Sequence, residues 1–200
     1  MIAQIFSWAL VVLLFAASLA ILLTRDWRRS LAFLAIQYLG VFLLTQTHWT
    51  LSMAAVKLVT GWMVATILGI TRTALDPELA TSPDRSLPES RLFRILAAIL
   101  LLLVVFSATT SLVDLLPGIG VPEVAGSLIL MAMGLLHLGL TIQPLRVVIG
   151  LLTVLAGFEI IYAVVETSTL VAALLSVINL GLALVGAYLL TAGSDDLEAI

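Results

Sequence analysis

The sequence predicts an all-α membrane protein that crosses the bilayer seven times, with its N-terminus outside and its C-terminus cytoplasmic. Three observations carry that prediction. The chain of 200 residues is 62% apolar and 10% charged, with a mean hydropathy of +1.24, far more apolar than a soluble domain of this size. Its apolar residues fall into seven runs near the length that spans a hydrocarbon core, about 20 residues. The arginines fall in alternate connections, as the positive-inside rule requires of a correctly counted topology.

The seven segments are 2–23, 31–46, 51–71, 93–115, 124–142, 147–165 and 169–191. The first has no basic residues before its apolar run and no small-residue cleavage site ahead of a soluble domain, so it reads as a retained helix rather than a cleaved signal. The second is short, which tilt or packing by neighbours accommodates. Its ends carry Trp27 and Trp49, placed as interfacial aromatics. Connections 24–30, 47–50, 143–146 and 166–168 are tight and make successive helices neighbours. Segment 72–92, rich in Pro, Ser and balanced charge, is the one long loop, with a solvent-exposed linker favoured over a gating or docking role. The expected divisions are a first three-helix unit at 1–71, the loop at 72–92, a linking helix at 93–115, a second three-helix unit at 124–191 and an acidic tail at 192–200.

The eight arginines occupy positions 25, 28, 29, 72, 85, 91, 94 and 146, in or beside the first, third and fifth connections, and the even connections hold no Lys or Arg. This places the odd connections and the tail SDDLEAI on the cytoplasmic side. A constant shift of 117 residues lays 22–70 over 139–187 without a gap. It matches Thr24 to Thr141, Arg29 to Arg146, Gly40 to Gly157, Thr50 to Thr167 and Gly69 to Gly186. These coincidences suggest two parallel three-helix repeats, with the fourth helix as the crossing that restores the orientation.

Composition also excludes function classes. There is no cysteine, so disulfide and thiolate chemistry are ruled out. His48 and His137 lack metal-ligand spacing, and no metal site is expected. No Gly-rich phosphate loop and no basic stripe is present, so neither an organic cofactor nor nucleic acid is expected as a partner. An intramembrane enzyme would need a paired nucleophile and base or a metal-ligand set, and the sequence offers neither.

Charge within a span costs roughly 2.5–3.5 kcal/mol at a helix centre, so each such residue needs a partner, a water cavity or an interfacial position. Two qualify. Glu159, in LAGFEIIYAVVETST, lies about six residues from the outer end of the sixth helix, and Lys57 about six from the outer end of the third. At about 1.5 Å per residue both sit roughly 9 Å deep, a depth at which they can pair. For Lys57 the competing reading is that its stem lifts the ammonium to the interface. For Glu159 the alternatives are a hydrogen-bonded structural residue and a proton-handling one, because burial disfavours the ionised form unless a cation compensates. His137 reads as a structural histidine or a relay. The candidate proton-relay residues are thus Glu159, Lys57 and His137. Gln37, Tyr38, Tyr162 and Asn179 are candidate interhelical polar contacts. Asp114, Glu123 and Glu166 stand at outer helix ends, where a carboxylate is solvated. On the last helix Ser168, Ala172, Ser176, Asn179, Ala183 and Gly186 form a small and polar stripe suited to helix packing.

The segments LRVVIGLLTVLAGFEIIYAVV and LVAALLSVINLGLALVGAYLL resemble the K-type small membrane subunit of complex I. They also resemble component E of hydrogenase-4 type complexes and the C subunit of Mrp-type antiporters. An N-out three-helix unit, an Arg at the inner turn, the step Gly157-Phe158-Glu159 and a final small-residue helix carry the likeness. It covers about 70 residues directly, and the first half only through the repeat, where Phe42 stands at the position of the Glu. The resemblance implies a non-catalytic subunit in a bacterial or archaeal cytoplasmic membrane. It would lie beside antiporter-like membrane subunits, with Glu159 in a chain of buried ionisable residues that supports proton or sodium translocation. An autonomous small secondary transporter built from two three-helix repeats is the alternative.

Overall fold

The computed structural model describes residues 2–75, 90–115, 119–166 and 168–198. Among them the chain is wholly helical, with seven helices: α1 Ile2–Leu23, α2 Trp27–Thr45, α3 Leu51–Ala74, α4 Arg91–Leu115, α5 Val121–Gly139, α6 Pro144–Val165 and α7 Thr169–Glu198. Six of them, all except α2, are long and apolar enough to cross a membrane, and the chain is a multi-pass integral membrane protein. Most of the 72–92 loop lies outside the described residues.

Several boundaries differ from the apolar runs because helix ends are set by capping rather than by hydropathy. α2 starts four residues before the apolar run, since Asp26 adopts an extended conformation and its side chain accepts from the Arg28 N–H at 3.0 Å. The two arginines of its first turn lie inside the helix. α5 begins at Val121, with Pro122 in its first turn, where proline forfeits no hydrogen bond. It ends by Leu140, whose N–H turns back to the His137 carbonyl. α6 starts with Pro144. α3 continues to Ala74, with Arg72 in its last turn, where a cation complements the helix dipole. α7 runs through most of the segment expected as a tail.

Contacts between helix ends define two ends of an up-and-down bundle. At one end Arg146 Nη2 donates to the Thr24 carbonyl at 2.8 Å and Arg94 Nη1 to the Leu22 carbonyl at 3.0 Å. These bonds tie the starts of α6 and α4 to the end of α1. At the other end Trp49 Nε1 donates to the Glu166 carbonyl at 3.1 Å, joining the start of α3 to the end of α6. Among the described residues every arginine belongs to the first end, so that end is basic. The packing partners are α1 with α2 and α5, α2 with α3 and α6, α3 with α7, and α5 with α6. α4 touches α5 and α1 and exposes Leu92, Phe93, Leu96, Leu100, Leu103 and Val104, a surface suited to hydrocarbon.

The α5–α6 contact is set by backbone approach. A Cβ on Gly134 would lie 2.8 Å from the Val154 nitrogen and 2.9 Å from the Gly150 carbonyl oxygen, and one on Gly157 would lie 2.7 Å from the Ser127 carbonyl oxygen. Ser127 Oγ donates to the Gly157 carbonyl at 2.6 Å, a hydrogen bond suited to a small-residue helix interface. Because the obstructing atoms are backbone, no rotamer change relieves them. We predict that Gly134→Ala and Gly157→Ala each destabilise the protein by about 1–3 kcal/mol, read from the midpoint of unfolding in mixed micelles. Gly181→Ala, whose Cβ would meet nothing within 4 Å, leaves the midpoint unchanged or raises it. Equal effects at all three positions would refute the close approach.

Candidate functional site

Four helices contribute one polar side chain each to a single buried chain of hydrogen bonds. Lys57 Nζ, from α3, donates to Glu159 Oε1, from α6, at 2.8 Å. Asn179 Nδ2, from α7, donates to the same oxygen at 2.7 Å. The Tyr38 hydroxyl, from α2, donates to Asn179 Oδ1 at 3.0 Å. Glu159 and Asn179 are fully buried, Tyr38 is 1% exposed and Lys57 2%. Lys57 therefore does not lift its ammonium to the interface. Gln37, one residue before Tyr38, is also fully buried. Its amide and Glu159 Oε2 have no hydrogen-bond partner among the described residues.

Local sequence explains how these groups meet. Tyr38 enters the α2–α3 contact because residue 61 is glycine, and a Cβ there would overlap the Tyr38 ring. Asn179 is backed by the small residues of its stripe: Ala172, Ser176 and Ala183 are all buried. One turn before Lys57, Met53 packs into a cluster with Trp49, Ala163, Ala172 and Tyr162. This cluster lies between the ion pair and the non-basic end. Tyr162 meets Trp49 edge-on at 6.4 Å and stacks on Phe158 at 6.1 Å. Its hydroxyl joins no hydrogen bond in the cluster, so Tyr162 belongs to the cap rather than to the polar chain. On the basic side the pair is followed by the apolar core of Leu34, Val64, Leu68, Leu152 and Ala183. The charges are thus held between two largely apolar layers.

The remaining candidates lie elsewhere. His137 is buried on α5, but the α5–α6 register set by Gly134 against Gly150 and Val154 puts it about ten residues, or roughly 15 Å, from Glu159 along the axis. Glu123, expected to be solvated, is 7% exposed and approaches His48 Nε2 at 3.9 Å. It lines a cavity of about 890 Å³ at the non-basic end, together with Gln4, Ser7, Trp8 and Thr47. No group of three or more His, Asp or Glu that could hold a metal ion occurs among the described residues. In the sequence Tyr38 is marked only as a general interhelical polar contact, and Gly61 is not distinguished from the other glycines. The one signal for the latter was a glycine within LVTGWMV, a single helical turn after Lys57.

An ammonium and a carboxylate in contact inside a dry core are far more stable together than either is alone. Removing one partner of a buried pair costs about 3–5 kcal/mol, whereas replacing both by apolar groups of similar volume is often neutral. Lys57→Met should lower stability by that amount, and Lys57→Met with Glu159→Leu should recover most of it, measured by the same micellar unfolding. A single substitution without effect would show that the pair is not desolvated. Gly61→Ala should displace Tyr38 and cost about 1–3 kcal/mol.

Comparison of the chain with protein-family models, with curated proteins and with solved structures gives no match.

Proposed function

We propose that this protein is a non-catalytic membrane subunit of an ion-translocating assembly of the complex I, membrane-hydrogenase or Mrp-antiporter kind. In this reading the Lys57–Glu159 pair is its proton-responsive element. The observation that carries it is the pair itself: a charged couple held in a buried core with one carboxylate oxygen that has no hydrogen-bond partner among the described residues. Intramembrane ionisable residues are expensive and mark ion pathways and proton relays. A proton arriving at Glu159 Oε2 neutralises the carboxylate and leaves Lys57 without its counter-charge. The lysine stem is long enough to raise the ammonium most of the roughly 9 Å to the non-basic end. Loss of the proton draws it back. The pair is then a two-position device that answers to the charge state of neighbouring subunits, with Asn179 and Tyr38 holding the carboxylate in place.

α2 is taken as a seventh crossing, and the basic end as the cytoplasmic one by the positive-inside rule, in a bacterial or archaeal cytoplasmic membrane. Two internal repeats are supported by packing as well as by sequence. Under the shift of 117, the starts of α2 and α6 coincide, as do the contacts of Gly40 on Leu14 with Gly157 on Met131, and of Gly69 on Leu31 with Gly186 on Val148. Equivalent helices also face one another, α1 with α5, α2 with α6 and α3 with α7, the arrangement of parallel repeats about an axis along the membrane normal. The same symmetry favours a second reading, an autonomous transporter with its site between the repeats. Against it, Lys57, Glu159 and Asn179 correspond under the shift to Leu174, Phe42 and Trp62, so the polar chain does not follow the symmetry.

Purification in mild detergent distinguishes the two readings. The subunit reading expects antiporter-like chains to co-purify, and a protein that runs alone and moves a solute in liposomes contradicts it. Within the assembly, Glu159→Gln should leave subunit composition intact and lower coupled ion translocation by about a hundredfold, the lower range for a positioned proton-transfer group. Undiminished translocation would leave the pair a structural role.

A further inference from the structure

The cavity of about 890 Å³ at the non-basic end lies where the start of α1, the α2–α3 turn and the start of α5 meet. Ser7, Thr47, His48 and Glu123 line it beside the Trp8 indole and the Val121 side chain. Among the described residues Glu123 is its one carboxylate, and it is 7% exposed. His48 is its one basic side chain.

Glu123 stands three residues after Gly120, the N-cap of α5, the position from which a glutamate can reach back to the N-cap N–H. It makes no such bond. Its Oε2 has no hydrogen-bond partner among the described residues, and the approach of His48 Nε2 to Oε1, at 3.9 Å, is too long for a hydrogen bond. A Cβ at residue 120 would overlap Oε2, so the glycine makes the space in which the carboxylate sits. Sequence supplies no stronger counter-charge nearby: residues 1–8, 46–50 and 116–123 contain no Lys or Arg, and residues 1–3 and 116–118 carry no ionisable side chain. A buried carboxylate without a partner costs free energy, which a cationic ligand recovers.

We propose that this cavity binds a primary ammonium group, with Glu123 as its counter-charge. Such a group carries three N–H donors. The carboxylate and the hydroxyls of Ser7 and Thr47 are acceptors on the same lining, and Thr47 keeps lone pairs free while donating to the Leu44 carbonyl at 2.8 Å. Trp8 adds an aromatic surface of the kind that attracts cations, and the apolar lining suits the methylenes that an organic amine brings with it. The volume falls within the range of small-molecule sites, about 300–1,000 Å³. The ammonium belongs either to the ethanolamine head group of a phospholipid in the adjoining leaflet or to a free amine in solution.

The full chain, extracted with whatever partners it retains, is held in maltoside micelles in an amine-free phosphate buffer. Binding of radiolabelled ethanolamine is measured by equilibrium dialysis, and binding of spin-labelled phosphatidylethanolamine is read from its motionally restricted signal against that of spin-labelled phosphatidylglycerol. Saturable ethanolamine binding alone marks a soluble amine, and preferential restriction of phosphatidylethanolamine marks a lipid head group. Either supports the proposal if Glu123→Gln weakens binding by about 30-fold, Gly120→Ala by about fivefold, and Asp114→Asn, an exposed carboxylate at the same end but outside the cavity, by less than about threefold. Gly120→Ala displaces the carboxylate without removing its charge. The backbone there, at φ −71° and ψ 143°, accepts alanine, so this variant keeps the test valid if Glu123→Gln does not fold. Absence of saturable binding of both probes overturns the proposal. So does an equal loss in Glu123→Gln and Asp114→Asn, which would reveal only the general negative potential of that end.

Discussion

The contact between Lys57 and Glu159 is the constraint around which the rest of this bundle is organised. Either charge alone is costly at its depth, and together they offset that cost only if the helices that carry them stay in register to within a fraction of a turn. The remaining elements enforce that register. The close α5–α6 packing through Gly134 and Gly157 fixes the helix that carries Glu159. Arg146 fastens the start of that helix to the end of α1, and Trp49 fastens its far end to the start of α3. Trp49 thereby sets the height of Lys57 relative to Glu159.

Asn179 and Tyr38 extend the pair rather than merely surround it. An ion pair that shares one carboxylate oxygen leaves the other with spare acceptor capacity, and the amide of Gln37, next to Tyr38 in sequence, is a second buried polar group without a hydrogen-bond partner among the described residues. A network satisfied on one side and open on the other is a costly arrangement in a dry core. It places at one point both the rigidity that holds a charge and the opening through which a proton could change it. Functional sites are where such local violations of good packing are expected.

Much of this was legible in the sequence. Hydropathy and arginine spacing marked seven helical segments, and equal depth brought Glu159 and Lys57 together as candidates. Boundaries were less legible because polar residues begin helices: Asp26 caps α2 ahead of Arg28 and Arg29, which an apolarity criterion places outside. The exposure of Glu123 was misjudged because a carboxylate at a helix end is solvated only where no neighbouring element covers it, and here the N-terminal part of α1 and the end of α2 share its cavity. The joining of Tyr38 and Asn179 to the pair could not be read from spacing, since it depends on which faces of four helices converge. Gly61 decides that convergence, and one glycine among thirteen carries no label. The distance of His137 from the pair likewise follows from the α5–α6 register, which sequence alone leaves undetermined.

The claim that Lys57 and Glu159 form a pair that responds to protonation is tested most directly by infrared spectroscopy of the intact protein as the pH is varied, with the wild type measured against Glu159→Gln. A pair that takes up a proton gives a carboxyl C=O band that appears as protons are added, is absent from the variant, and is accompanied by a change in the ammonium deformation band that shifts on 15N-lysine labelling. If no band assignable to Glu159 changes over the whole pH range in which the protein stays folded, the pair is locked and structural and does not respond to protonation.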